Sequence, residues 1–254
     1  MLETLLLLAA ACAAGALNAV AGGGSFLTLP ALVFSGVPPV MANATGTVAL
    51  FPGYIASAWG FREDLAPPPG LTLRAVMGLS LVGGALGALL LLATPDATFR
   101  RVVPWLLLAA TALFALGPRL RAAARSEATP HAPLTPGARL RAQAGVLGVA
   151  AYGGYFNGGL GILLLALFGL LGQTRLHAAN GLKNMVSALL TAIAVLIYAA
   201  GGLVAWPQAL AMMLAATAGG YGGARLARRI PAPWLRAGIV ATGLVMAGVF
   251  FWGG

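Results

Sequence analysis

Apolar residues run along this chain in long blocks, and charged residues fall almost entirely between them. A helix needs about 20 apolar residues to cross a bilayer. Blocks of that order occupy 4–35, 42–60, 71–93, 99–118, 142–172, 179–200, 204–224 and 234–252. Two of them are too long for a single pass and are interrupted by glycine. The first breaks at Gly22, Gly23 and Gly24, ahead of Ser25. The fifth breaks over 157–161, at Asn157, Gly158, Gly159 and Gly161. The pattern predicts four blocks, a polar stretch, and four more.

The interruptions recur. A shift of 137 positions carries Gly22 onto Gly159, Gly24 onto Gly161, Leu27 onto Leu164 and Ala42-Asn43 onto Ala179-Asn180. Few residues match, but they fall where the pattern is punctuated. Each half therefore reads as one copy of a unit, with broken backbone followed by a small polar helix start. The division is 1–118, a polar linker at 119–141, and 142–254. The linker is too short to fold alone.

Composition sharpens this picture. The chain has 254 residues, 60% hydrophobic and 8% charged, and its mean hydropathy is +0.92. A soluble domain carries about 25% charged residues, so most of this surface is expected to avoid water. The fold class is an all-α polytopic membrane protein. The net charge of +10 sits in short loops rather than on a soluble face, which argues against nucleic acid as a partner. Residues 1–23 lack a basic start and carry Glu3, so they are read as part of the mature protein and not as a signal peptide. The lone Cys12 excludes an intrachain disulfide and reads as a small packing residue.

Loop charge sets the threading. Cytoplasmic loops carry an excess of Lys and Arg. The linker holds Arg119, Arg121, Arg125, Arg139 and Arg141, and the loop 225–236 holds Arg225, Arg228, Arg229 and Arg236. Both are placed inside. Parity then requires 142–172 to begin and end on the cytoplasmic side, as a re-entrant hairpin of two half-helices. The first block enters from outside by the same reasoning, and both termini lie on the non-cytoplasmic side. All 15 Lys and Arg except Arg100 and Arg101 fall inside under this threading. The halves are then inverted repeats of about four hydrophobic segments each.

Broken backbone at membrane depth is tolerated only where protein buries it or it lines a wet cavity. A half-helix beginning there points free N–H groups and a positive dipole end at its surroundings. Two such ends form a candidate anion site from Gly22, Gly23, Gly24, Ser25, Asn157, Gly158 and Gly159. The alternative is that these glycines only permit close helix crossings, as Gly83, Gly84 and Gly87 are expected to do. Asn43, Thr45 and Thr47 in one copy, and Asn180, Lys183 and Asn184 in the other, add hydrogen-bonding groups. They serve either the site or helix capping and interhelix bonds. Lys183 either meets an anion or snorkels to the nearby interface. Arg175 and His177 read as positive-inside residues or as a vestibule that draws anions in.

All five acids, Glu3, Glu63, Asp64, Asp96 and Glu127, are terminal or in loops. A carboxylate proton relay, a dedicated cation path and a metal cluster are thereby disfavoured. Ser25 has no accompanying base, so an enzyme is not expected, and neither is a cofactor.

At these residues the chain resembles the TauE/SafE family of membrane permeases, the sulfite exporter family. Ala21–Pro30 resembles its glycine-rich break and Leu/Pro-rich helix. Gly158–Gly161 with Ala179–Asn184 resembles the second copy and its Ala-Asn-x-x-Lys-Asn element. The resemblance implies a permease for sulfite, thiosulfate or an organosulfonate in the inner membrane. Some members carry functional cysteines for thiosulfate, and Cys12 lies outside the matched motifs. The expected function is secondary transport, leaning towards export, of a small sulfur-containing anion by alternating access around a midplane site. An anion channel and a non-transporting membrane scaffold or biogenesis factor are the alternatives. Expected partners are the anion, the lipid bilayer and, for an oligomer, further copies of the chain.

Overall fold

A computed structural model describes residues 2–20, 23–127, 135–173, 175–226 and 232–252. Among the described residues all regular structure is helical. The α-helices are α1 (Leu2–Val20), α2 (Ser25–Phe34), α3 (Pro39–Gly60), α4 (Leu73–Leu92), α5 (Asp96–Glu127), α6 (Pro136–Tyr155), α7 (Leu160–Leu170), α8 (Leu176–Ala200), α9 (Trp206–Leu226) and α10 (Ala232–Trp252). The ends follow local chemistry. Pro39 and Pro136 sit in the first helical turn, where no N–H is needed. Thr72 and Thr135 accept from Ala75 N at 3.2 Å and Ala138 N at 3.3 Å as N-caps.

Two boundaries differ from the sequence reading. Helix occupies both ends of the 119–141 stretch, because α5 continues to Glu127 and α6 starts at Pro136. The run Arg119–Arg125 is built of Ala, Arg and Leu, which are strong helix formers. The second break covers 156–159, so Gly161 is already inside α7 rather than in the break. Gly22 lies outside the described residues.

Two helices, Leu73–Leu92 and His177–Ala200, are long and apolar enough to cross a membrane alone. The sequence suggested more such spans. Helices α3 and α9 dilute their apolar residues with Asn, Thr, Gln, Gly and Pro. In α3 those polar groups are inside the bundle: Asn43, Thr45 and Thr47 are buried.

The surface is inverted relative to a soluble protein. Thr45 and Thr191 are fully buried, whereas Leu214 is 75% exposed and Leu90 60%. Leu81, Val82, Leu86 and Leu89 on α4 are exposed in the same way. A soluble monomer rarely carries an apolar surface of this extent, and lipid tails accept it without penalty. Trp59 at the end of α3 and Trp206 at the start of α9 are both exposed, where an amphipathic ring suits a headgroup region. Cys12 is exposed too; it does not pack inside as the sequence suggested.

Hydrogen bonds and packing place the helix ends on two faces. On the first, Val40 N donates to Asp96 Oδ1 at 3.0 Å and Ala205 N to Thr45 Oγ1 at 3.0 Å. Glu3, Ser35, Pro207 and Gln208 line one shallow cavity there. On the second, Gln173 Nε2 donates to Ala66 O at 3.0 Å, and Gly181 packs on Phe61. The start of α1 and the end of α2 are therefore at the first face. The end of α7 is at the second.

Packing partners exchange between the halves. Helix α1 packs on α9, and α6 on α4. Helix α3 packs on α9, and α8 on α4; α5 packs on α7, and α10 on α2. Helix α3 also meets α8, and α5 meets α10. Exchanging α1–α5 with α6–α10 maps each of these pairs onto another or onto itself. Close crossings make the pairing possible. Gly84 and Gly154 bring the α4 and α6 backbones together, and Gly15 lies on Ala216 between α1 and α9.

Candidate functional site

The two breaks interrupt helices at glycine. Gly23 and Gly24 separate α1 from the ten-residue α2. Phe156, Asn157, Gly158 and Gly159 separate α6 from the eleven-residue α7. At a rise of about 1.5 Å per residue, α2 and α7 are each about 15–17 Å long, half a bilayer core. Gly159 has φ +72°, a left-handed conformation that glycine adopts without a Cβ penalty.

Side chains from three helices hold the second break. Asn43 Nδ2 donates to Tyr155 O at 2.9 Å. Tyr152 Oη donates to Gly158 O at 2.6 Å, and Tyr198 Oη donates to Gly154 O. Backbone that loses its helical partners is thus re-satisfied from α3, α6 and α8. Among the described residues no acceptor takes the Gly158, Gly159 or Gly161 amide.

Tyr54 joins the two breaks. Its hydroxyl donates to Asn157 Oδ1 at 3.2 Å, and the Asn18 amide, just before the first break, lies against the same hydroxyl. Tyr54 and Asn18 each sit fifteen residues along their helix from the first face, counted from Pro39 and Glu3. That is about 22 Å of helical rise. Asn157 is only 2% exposed. Its Nδ2 and the Oδ1 of Asn18 are buried with no hydrogen-bond partner. Buried polar atoms are nearly always paired, so two orphans beside one hydroxyl make this the candidate site; among the described residues the hydroxyls of Thr28, Thr111 and Thr191 are also unpartnered.

The remaining residues singled out by sequence lie at the first break and on α3 and α8. Gly23, Gly24 and Ser25 are buried at the first break. Asn43 and Asn180 are each the fifth residue of their helix, so neither is a cap. Thr47 Oγ1 donates back to Asn43 O at 2.9 Å, which spends its proton inside α3. Asn184 is buried on α8, and Asn180 and Lys183 are half-buried there. Lys183 lies about 10 Å of helical rise into α8 from the second face. Asn18, Tyr54, Tyr152 and Tyr198 were not anticipated. Their signal was position: tyrosine favours membrane interfaces, and these lie within blocks of apolar sequence.

A helical bundle with an apolar exterior, buried amides and interrupted helices fits an all-α membrane protein. The sulfite exporter TauE/SafE family model matches residues 7–250, and the chain belongs to that family. A "Probable membrane transporter protein" of Haemophilus influenzae is 30% identical over 215 residues, covering 83% of this chain and 79% of that protein. The "Probable membrane transporter protein YfcA" of Escherichia coli K12 is 27% identical over 238 residues, covering 92% and 84%. The chain is a membrane transporter, and nothing in the family or the relatives' names points to an enzyme.

Proposed function

We propose that this chain is a secondary transporter that exports a small sulfur-containing anion, such as sulfite or an organosulfonate, across the inner membrane. Alternating access of two inverted halves, α1–α5 and α6–α10, carries the anion past the point where the breaks meet. Family membership supports the substrate class. The observation that carries the site is the buried, unpartnered Asn157 Nδ2 at the break. The anion sits between Gly23–Ser25 and Asn157–Gly159, with Asn43, Thr47, Asn180 and Asn184 behind them and Lys183 supplying charge from the cytoplasmic side. Asn43 acts there chiefly by holding the Tyr155 carbonyl. The exchange of packing partners supports the repeat, and the opposite faces at which α2 and α7 end support inversion.

The second face is the cytoplasmic one, because the linker and the 225–236 loop carry the arginines. The membrane potential, negative inside, expels anions with about 2.3 kcal/mol per charge per 100 mV. Export needs no coupled ion, and the described spans offer no carboxylate to carry a proton.

Proteoliposomes loaded with sulfite test this reading. Efflux is expected to saturate with internal sulfite and to speed up when the interior is made negative. A continuous current in planar bilayers would identify a channel instead, and no flux would remove the transport reading. Cysteines placed at Glu63 and Ala97, in a Cys12→Ala background, test the threading. Label should reach Glu63→Cys from inside and Ala97→Cys from outside; labelling of both from one side sinks the inversion.

A further inference from the structure

The hydrogen-bond relay between the breaks has a fixed inventory of protons. Tyr54 has one O–H, which goes to Asn157 Oδ1, and the Asn18 amide lies on the same hydroxyl. Each amide has an accepting oxygen and a donating nitrogen. A hydroxyl linking two amides in series uses the oxygen of one and the nitrogen of the other. What remains is Asn157 Nδ2, a donor, and Asn18 Oδ1, an acceptor, and both are buried and unpartnered. Turning both amides round exchanges the two residues but still leaves one donating nitrogen and one accepting oxygen without a partner. Asn157, at 2% exposure, has no access to solvent to make good the difference.

A fully deprotonated oxyanion accepts hydrogen bonds and donates none. It would satisfy the donor and press its negative charge on the acceptor. We propose that this site, taken as the anion site of the transport reading above, binds the hydrogen-bearing monoanion. Hydrogensulfite, or a sulfonate carrying a hydroxyl group, fits; sulfite dianion and sulfate do not. The acceptor then selects for the ligand's proton, and the donor together with the α7 amides takes the anionic oxygens.

The titratable groups of the packed elements are Tyr54 on α3, Tyr152 and Tyr155 on α6, Tyr198 and Lys183 on α8, and Glu3, Asp96 and His177, which are exposed at helix ends. A pair of sulfonates whose charge does not change with pH separates recognition of the ligand's hydrogen from any titration of these groups.

The test is binding of sodium sulfite to the purified chain at a series of pH values around the loss of sulfite's last proton. Hydroxyethanesulfonate and ethanesulfonate, which carry the same fixed charge and differ by one hydroxyl, are measured beside it. The apparent Kd for total sulfite is expected to rise about tenfold per pH unit above that ionisation. Hydroxyethanesulfonate should bind at least about tenfold more tightly than ethanesulfonate. Tyr54→Phe, which breaks the relay without changing shape, should flatten the sulfite profile. Saturable sulfite binding that is independent of pH, or equal affinity for the two sulfonates, would overturn the proton-selective site and leave anion transport standing. No saturable binding of any of the three at any pH would overturn the transport reading as well. The wild-type series decides the matter even if a variant fails to fold.

Discussion

The two helix breaks use similar residues and are held by different means. The break at 156–159 is held by side-chain donors, with Asn43, Tyr152 and Tyr198 each taking one carbonyl at or beside it. No such donor reaches the backbone of Gly23 or Gly24 among the described residues. Packing holds that break. A Cβ on Gly24 would lie 2.9 Å from both Ala14 O and Leu50 Cδ1. Close fit thus holds the first break and side-chain hydrogen bonds hold the second.

Substitutions can break that contrast, and the largest effect is expected at Gly154. Its Cβ would collide with the Gly84 backbone, so Gly154→Leu should cost about 3 kcal/mol or abolish folding. Gly23→Ala brings its Cβ to 3.3 Å from the Phe26 ring and 3.6 Å from Leu17 Cδ2, both side chains, and should cost less than about 1 kcal/mol in thermal unfolding.

Lys183→Met tests whether charge joins the neutral donors. If Lys183 meets the anion, affinity should fall by about 1.5–3 kcal/mol, roughly ten- to hundredfold in Kd. If it snorkels, affinity stays within about twofold.

Gly159→Ala forces a side chain into the left-handed region and should lose about 1–2 kcal/mol. Tyr152→Phe orphans the Gly158 carbonyl, and about 1 kcal/mol is expected. Thr47→Val should change stability by less than about 0.5 kcal/mol, because its hydroxyl only bonds back within α3. Thermal unfolding in detergent measures all three.

Much of the fold was legible because glycine and charge punctuate it. The breaks were visible as glycines inside apolar blocks, placed at Gly22–Gly24, of which Gly22 lies outside the described residues, and over 157–161, where the structure has 156–159. The repeated spacing carried Asn43 onto Asn180, although each is the fifth residue of its helix and the blocks at 42–60 and 179–200 made each the second. The Tyr54–Asn157 bond was not legible, because it joins residues 103 positions apart and no periodicity encodes such a pair. Asn18 was hidden for the same reason: only the bundle brings the end of α1 to α3. The exposure of Cys12 was missed because lipid and protein interior favour the same small apolar residue types. The helical ends of the 119–141 stretch were missed because arginine was read as loop charge and not as a helix former.

The account rests on a ligand meeting the orphaned amide of Asn157, so the decisive measurement is the Kd for sulfite in wild type and in Asn157→Leu, taken with the unfolding temperature of each. Leucine matches asparagine in shape and carries neither donor nor acceptor. Saturable binding in wild type and at least a tenfold weaker Kd in Asn157→Leu, with a cooperative unfolding transition in both, is the predicted result. Equal Kd values in two folded proteins would contradict it.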